Sequence, residues 1–274
     1  MTRRGDAGPK GPATRLPLWL GIPAAVGAAF LVLPFAALLT HLDWTAVPRA
    51  ILSPAALQAL GLSLGTATLA TVACLVLGVP LAMFIARATG WTATVMRTLT
   101  TLPLVLPPLV GGIALLSLLG REGVLGPWLA QVGIHIPFTT VAVVIAQSFV
   151  AMPFLVISIE GSLRTAGTAH ELVAASLGAR PFAVFRRVTL PLAGPGLLAG
   201  TVLCFARALG EFGATALFAG NAAGVTRTMP LAIYTAFNGA GVDEDTAIAL
   251  SLLLILVAVA VLLVMRGRRA EAIP

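Results

Sequence analysis

The amino-acid sequence predicts an all-α integral membrane protein with about six transmembrane helices. Of its 274 residues, 58% are hydrophobic and 10% are charged, and the mean hydropathy is +1.01. A soluble domain carries about 25% charged residues. Because a helix needs about 20 apolar residues to cross the hydrocarbon core, the predicted spans are the long apolar stretches at residues 16–42, 57–86, 98–120, 138–159, 188–213 and 246–265.

The basic residues predict how these spans are oriented. Six spans place both termini on one side of the membrane, and that side receives all but four of the 17 Lys and Arg residues. Arg49, Arg121 and Arg227 fall on the opposite side, and Arg207 lies within the fifth span. Short cytoplasmic loops are enriched in Lys and Arg. We therefore predict a multi-pass protein of the cytoplasmic membrane with both termini in the cytoplasm.

The chain is thus organised as one transmembrane domain, residues 16–265, between two cytoplasmic tails. Residues 1–15 are expected to be disordered, and residues 266–274 form the second tail. The longest cytoplasmic loop covers residues 160–187. On the outer side, the loop NAAGVTRTMP is expected to expose Thr226 and Arg227 and to be the main docking surface for an external partner.

Several functions are excluded by residues that the sequence lacks. The two cysteines, Cys74 and Cys204, lie in apolar stretches, and the three histidines are far apart, so no metal-ligand spacing occurs. Lys10 is the only lysine, which rules out the phosphate-binding motif G-x-x-x-x-G-K-[ST]. H-E-x-x-H is absent, the match to G-x-S-x-G at residues 61–65, GLSLG, lies inside a predicted span, and basic and aromatic residues are not interleaved. We expect no catalytic, cofactor or metal site and no nucleic-acid partner.

Prolines and glycines interrupt the apolar pattern in three places. They occur in TLPLVLPPLVGG at residues 101–112, in GVLGPWLAQVGIHIP at 123–137, and in VTLPLAGPGLLAG at 188–200. Each break alone is explained by helix kinking and close helix packing. Broken helices at membrane depth also line water-filled cavities, and three breaks in one chain favour a translocation path. Candidate pore-lining hydroxyls near the breaks are those of Ser117, Thr139, Thr140, Ser148, Thr201 and Thr215.

Two opposite charges lie in the predicted fifth span, in the segment FARALGEFGAT. Arg207 and Glu211 are four residues apart, so on a helix they project from one face and can form an ion pair. Three interpretations stay open: a packing pair within the subunit, a source of positive potential beside an anion path, and a gate or dimer contact. Gly210 and Gly213 flank the pair and would allow another backbone to approach closely.

The cytoplasmic loop carries a helix–turn–helix pattern over residues 168–191, TAHELVAASLGARPFAVFRRVTLP. Thr168 followed by Glu171 is a capping-box signature for a first short helix. Gly178 stands where a left-handed residue would end that helix. Pro181 suits the first turn of a second helix. Because such short helices are marginal in water, the loop is expected to pack against its own bundle or against a partner.

This loop resembles the EAA signature of bacterial ABC importer permeases, which reads E-A-A, three residues, G, nine residues, I-x-L-P. The positions that carry the resemblance are Ala174, Gly178, Val188, Leu190 and Pro191. Leu172 replaces the signature's Glu, while Glu171 lies one residue earlier, and Val173 and Val188 replace an Ala and an Ile. The resemblance implies a coupling helix that docks on an ATPase subunit, with these residues at the contact: Glu171, Leu172, Ala174, Ala175, Gly178, Arg180 and Pro191.

Further segments resemble permeases of the molybdate/tungstate/sulfate group, and molybdate permeases most of all. They are FARALGEFGATALFAGN, GVTRTMPLAIYTAF, LPLVLPPLVGGIALL and FVAMPFLVISIEGSLR, and the resemblance covers residues 55–265. It implies the type I importer architecture in a prokaryotic membrane. It also implies a homodimer, two ATP-binding cassette subunits on the cytoplasmic side, and an extracytoplasmic oxyanion-binding protein.

Two alternatives remain at the level of the sequence. The same machine could import sulfate or tungstate. The chain could instead be a gradient-driven secondary carrier or channel, a class that uses intramembrane acidic residues and inverted repeats. Glu211, the only acidic residue well inside a span, stands beside Arg207, which argues against the second alternative.

Overall fold

A computed structural model describes residues 18–40, 43–239 and 244–271. The predicted tail at residues 1–15 lies outside the described residues, as do the last three residues of the tail at 266–274. All regular structure within the described ranges is helical. The α-helices are α1 (Gly21–Thr40), α2 (Val47–Ile51), α3 (Pro54–Arg87), α4 (Gly90–Val105), α5 (Pro108–Leu119), α6 (Gly126–Gln131), α7 (Thr140–Ala166), α8 (Ala169–Ser176), α9 (Pro181–Val184), α10 (Leu190–Leu209), α11 (Gly213–Phe218), α12 (Met229–Asn238) and α13 (Glu244–Glu271).

The chain divides into two compact units, residues 1–43 and 44–274. The first unit contains α1, a 20-residue apolar helix with Pro34 in its interior and no residue buried within the described chain. The second unit contains all the other helices. In the described ranges, five helices are long and apolar enough to cross a membrane, and a bent pair of helices raises the number to six.

The bent pair corrects the predicted third span. Residues 98–120 were expected to form one helix, but α4 and α5 meet at an angle of 116°. The break follows from Pro107 and Pro108, because a residue that precedes proline is pushed into extended backbone. Leu106 and Pro107 are both extended, with ψ of 139° and 135°.

The fifth and sixth spans also differ from their predicted limits. Instead of residues 188–213, a continuous helix runs from Pro181 to Leu209 and includes a π turn at Phe185–Thr189. It ends before Gly210, and α11 starts a separate short helix, so Glu211 lies between two helices. Helix α13, which forms the sixth span, continues to Glu271, six residues beyond the predicted end of that span.

The main core forms where α3, α7 and α10 pack together. Small side chains dominate it, among them Ala70 and Cys74 of α3, Ala151 of α7 and Cys204 of α10, all fully buried. Transmembrane helices approach closely where residues are small, because dispersion contacts rather than the hydrophobic effect join them. These three helices therefore form the frame to which the rest of the unit is attached.

Glycines bring α10 and α7 into backbone contact. A β-carbon at Gly196 would lie 2.3 Å from the carbonyl oxygen of Ser158 and 2.4 Å from Ser162 Oγ. A β-carbon at Gly200 would lie 3.0 Å from Leu155 Cα. The Gly-x-x-x-Gly spacing puts both glycines on one face of α10, and that face is the contact with α7.

Two smaller clusters complete the second unit. In one, α11 packs between α5 and α7 through Ala214 and Phe218. In the other, α12 packs on α3 and α13 through Met229, and the backbone N–H of Met229 donates to Ser63 Oγ over 2.7 Å. The short helices α11 and α12, which follow the fifth span, are therefore anchored to α7 and α3 of the main core.

Candidate functional site

The loop that the sequence predicts to be cytoplasmic, residues 160–187, forms the expected helix–turn–helix. Helix α8 ends at Ser176, and Gly178 adopts φ +81°, the left-handed conformation that ends a helix most easily at glycine. Pro181 is the first residue of α9, preceded by Arg180 in extended backbone. A second left-handed glycine, Gly167 with φ +67°, separates α7 from α8. Helix α8 is thus flanked on each side by a glycine in left-handed backbone.

The predicted capping box is wrong. Thr168 makes no side-chain cap hydrogen bond. Glu171 turns instead toward the membrane domain, where its Oε1 accepts hydrogen bonds from Arg87 Nη2 and, over 2.5 Å, from Thr189 Oγ1. Its side chain is only 14% exposed. The carboxylate therefore joins α8 to the end of α3 and to the π turn that precedes α10.

The loop presents an apolar surface that nothing in the described chain covers. Its members, which we call the loop apolar surface, are Leu172, Val173, Leu177 and Phe182. Leu177 is 83% exposed, and none of the eight residues of α8 is buried. Ala174 is half-buried and Ala175 is exposed beside it. Pro191 lies away from this surface, in the first turn of α10. An exposed apolar patch of this kind marks a site of protein interaction.

A cavity of about 1290 Å³ lies between the loop and the membrane domain. Arginines Arg87, Arg97 and Arg164 line it together with Glu171. Arg97 of α4 donates from Nε to Glu160 Oε1 of α7 over 2.5 Å, and Arg164 Nη1 lies 3.5 Å from the same oxygen. The walls of this cavity are therefore held together by ion pairs between helices.

Arg207 and Glu211 form an ion pair, but not within one helix as the sequence suggested. Arg207 lies in the last turn of α10, and Glu211 lies in the break after it. Arg207 Nη2 is 2.7 Å from Glu211 Oε2, while Glu211 Oε1 accepts a hydrogen bond from the N–H of Ala214 over 2.8 Å. Glu211 is fully buried and Arg207 is 26% exposed. The carboxylate thus holds α10, the break and the start of α11 together.

The two glycines that flank this pair have different environments. A β-carbon at Gly213 would lie 3.0 Å from Pro108 Cβ, so the start of α11 lies against the start of α5. A β-carbon at Gly210 would have only Ala206 O of its own helix within 4 Å among the described atoms, at 3.6 Å. Close approach of a second helix therefore depends on Gly213 alone.

Most of the candidate pore-lining hydroxyls donate to nearby carbonyl groups. Thr201 donates to Leu197 O over 2.7 Å, Ser148 to Val144 O over 2.7 Å, and Thr139 to Ile136 O over 2.6 Å. Thr140 donates to Val225 O over 2.9 Å. Thr215 is fully buried, so it contributes to no surface in this conformation, whereas Ser117 is exposed.

Sequence reasoning missed one polar residue in the fourth span. Gln147 of α7 is fully buried, and neither atom of its side-chain amide has a hydrogen-bond partner among the described residues. Thr215 Oγ1 on α11, which packs on α7, is also without a partner there. An amide in the largely apolar run VAVVIAQSFV was the available signal. An unpaired buried polar group costs about 1–3 kcal/mol, so each of these two side chains weakens the packing in which it lies.

The loop NAAGVTRTMP, which the sequence predicts to lie on the outer side, does not expose Thr226 as expected. Thr226 is fully buried, because its Oγ1 accepts a hydrogen bond from the N–H of Ala222 over 2.9 Å. Arg227 is bound to Asn221 through Nε over 2.9 Å. Ala223, at the tip of the loop, is exposed. The loop is a tight turn with its threonine inside.

Helices long and apolar enough to cross a membrane, together with an exposed apolar loop, define an integral membrane protein with a surface for a partner. The chain belongs to the family described as "Binding-protein-dependent transport system inner membrane component", which matches residues 78–268. It is 53% identical, over 81% of its length and 84% of the relative's, to the molybdenum transport system permease protein ModB of Mycobacterium tuberculosis.

Two further comparisons describe more distant relatives. The sulfate transport system permease protein CysT of Escherichia coli is 34% identical over 79% of this chain and 79% of its own length. A crystal structure of a bacterial ABC transporter involved in the import of the acidic polysaccharide alginate aligns with a TM-score of 0.72. That alignment covers 93% of this chain and 96% of the other at 16% identity, so it supports the shared fold.

Proposed function

We propose that the chain is the permease of an ATP-driven importer and carries molybdate across the cytoplasmic membrane. The observation that carries this proposal is the 53% identity to a molybdenum transport permease over most of both chains. The loop apolar surface supplies a place for an ATPase to dock. The only lysine of the chain, Lys10, lies in the N-terminal tail and outside any P-loop motif, so the ATPase must be a separate subunit.

The proposed assembly contains two copies of this chain, two ATP-binding cassette subunits and one extracytoplasmic oxyanion-binding protein. One chain supplies one docking loop, and a two-fold axis would generate the second loop and a pore between the copies. Molybdate would cross this pore while ATP hydrolysis on the separate subunits drives the loops.

Uptake by the reconstituted complex tests the substrate. In proteoliposomes that contain permease, ATPase and binding protein, we expect ATP-dependent accumulation of molybdate that tungstate inhibits and a large excess of sulfate does not. An ATPase subunit whose P-loop lysine is replaced provides the control. Uptake that persists with this subunit would support a gradient-driven carrier instead.

Sulfate is the second candidate substrate, because the chain is also 34% identical to a sulfate permease. Preferential accumulation of sulfate over molybdate in the same vesicles would replace the proposed substrate while leaving the class of transporter intact.

The orientation is tested by cysteine labelling. We expect Ala223→Cys to react with an impermeant thiol reagent added outside whole cells, because Ala223 is exposed at the tip of the outer loop. Thr165→Cys, exposed at the end of α7, is the matched control and should react only after the membrane is opened. Cys74 and Cys204 are buried and are replaced beforehand. The reverse labelling pattern would overturn the predicted topology.

A further inference from the structure

We propose that Glu171, Arg87 and Thr189 form the link through which movement of the docking helix α8 reaches the membrane spans. We call these three residues the loop–span link. The inference rests on the proposed function, since it assigns a role to residues behind the loop apolar surface. Glu171 acts here as a positioning residue and touches no substrate.

The first argument is that the backbone alone connects α8 weakly to the bundle. Gly167 and Gly178 stand on either side of α8, both in left-handed backbone, and no described heavy atom lies within 4 Å of where their β-carbons would be. Such positions are conformationally permissive. A push on α8 would therefore be absorbed by rotation at the two glycines unless another contact transmits it.

The second argument is that the apolar side chains of α8 do not supply that contact. Leu172, Val173 and Leu177 are each at least 60% exposed, and no residue of α8 is buried. Glu171 is the residue of α8 whose side chain binds the spans, through Arg87 and Thr189, and that side chain is only 14% exposed. The helix is thus apolar toward a partner and charged toward its own membrane domain.

The third argument is the identity of the elements that Glu171 joins. Arg87 is the last residue of α3, and Thr189 is the last residue of the π turn that leads into α10. Arg87 Nη2 also donates to Thr189 Oγ1 over 3.4 Å, so all three side chains contact one another. Helices α3 and α10 are two of the three helices in the main core. The loop–span link therefore connects α8 to the main core through side chains, without depending on the backbone at Gly167 and Gly178.

The π turn makes α10 a suitable receiver of this movement. The N–H of Leu190 donates to Phe185 O, five residues earlier, and Pro191 offers no N–H at the next position. π segments are rare and occur frequently at functional sites. Because Pro191 cannot donate, the helix holds fewer backbone hydrogen bonds at this turn than in the rest of α10, so a rotation there breaks few of them.

An exchange of the two charges tests the link. In proteoliposomes that contain the complete complex, we expect Arg87→Glu and Glu171→Arg each to reduce molybdate uptake about tenfold, within the range of about 5–150-fold typical of coupling between sites. The ATPase should still co-purify, because the loop apolar surface is unchanged. The double variant should restore uptake to within about threefold of the wild type, well inside that range.

Arg164→Ala is the matched control. Arg164 lines the same cavity and also contacts a glutamate, but its partner Glu160 lies on the same helix, α7. This variant removes the same charge without touching α8, and we expect wild-type uptake. Wild-type uptake in both charge-reversal variants would overturn the link, as would a double variant no more active than the single ones.

Milder changes cover the case in which a reversed charge prevents assembly. Glu171→Gln keeps an acceptor oxygen at the same distance from the backbone, so the complex should assemble with reduced molybdate uptake. Wild-type uptake by this variant would contradict the proposal, and so would loss of the ATPase from the complex. Arg87→Lys keeps the charge and should retain most of the activity. Loss of uptake in Arg87→Lys to the level of Arg87→Glu would also contradict it.

A readout without substrate separates this inference from the proposed function. Thr89 is exposed beside the cavity, two residues after Arg87. A cysteine at position 89 should change its reactivity between the ATP-bound and ADP-bound complex, and Glu171→Arg should abolish that change. If the wild-type complex does not accumulate molybdate but shows this change, the proposed substrate fails and the link stands.

Discussion

Gly196→Ala is expected to prevent most of the chain from folding. The new β-carbon would lie 2.3 Å from the carbonyl oxygen of Ser158, a backbone atom that cannot move without displacing α7. Overpacking a tight core costs about 1–3 kcal/mol and sometimes more, and here the main helix contact must separate. The measurement is the yield of monodisperse protein in detergent together with its unfolding temperature.

Gly194→Ala is the matched control for this experiment. Gly194 lies in the same helix, two residues away, and no described heavy atom is within 4 Å of where its β-carbon would be. Alanine is favoured over glycine in a helix by about 1 kcal/mol, so this variant should be at least as stable as the wild type. Equal yields for both alanine variants would contradict the close packing of α10 on α7.

Arg207→Ala is expected to be more damaging than removal of any exposed arginine. It would leave the fully buried Glu211 carboxylate without its counter-charge. Removing one partner of a buried pair costs about 3–5 kcal/mol in soluble proteins, whereas replacing both is often tolerated. We therefore expect a large loss of folded protein from the single variant and recovery in Arg207→Met/Glu211→Gln.

The choice of Gln rather than Ala at position 211 follows from the structure. Glu211 Oε1 also accepts a hydrogen bond from the N–H of Ala214, and only Gln can keep it. Arg207→Ala/Glu211→Ala should therefore recover less than the Met/Gln pair. Uptake measured beside yield separates the interpretations: a Met/Gln variant that folds but does not transport would place Arg207 on the anion path.

The pair Arg164–Glu160 provides the control for burial. It has the same four-residue spacing, but Arg164 is 55% exposed and the separation is 3.5 Å. Exposed pairs contribute about 0–1 kcal/mol, so Arg164→Ala should leave the yield unchanged. A comparable loss in Arg164→Ala and Arg207→Ala would show that burial does not govern the effect at position 207.

Local signals in the sequence predicted the parts of the loop that depend on one or two residues. Gly178 and Pro181 each act through their own backbone, so the end of α8 and the start of α9 could be placed. The partners of Glu171 could not, because Arg87 is 84 residues away and competes with the nearby N–H groups that a capping box would use. Long-range charge pairing overrode the local pattern.

The same distinction explains the errors in the spans. Pro107 and Pro108 indicated a break, but the 116° angle depends on how α5 packs against α11 and α7. The end of α10 at Leu209 coincides with Gly210, but the apolar residues on both sides of this glycine continue the pattern of a span, so its role as a helix end was not predicted. Burial of Thr226 depends on a turn that brings the N–H of Ala222 to its hydroxyl. Hydrophobicity determines the number of spans better than their ends.

The internal hydrogen bonds of Thr139, Ser148 and Thr201 have a consequence for the speed of transport. A hydroxyl that already donates its proton to a carbonyl presents only lone pairs, which repel an oxyanion rather than hold it. If these side chains line the anion path, as the sequence predicts, a dianion would meet shallow free-energy wells there and would leave each within a short residence time. Release of the anion from a tight site would then not limit the turnover rate. Because binding in the pore would be weak, the permease could release the anion even into a cytoplasm that already contains the same anion.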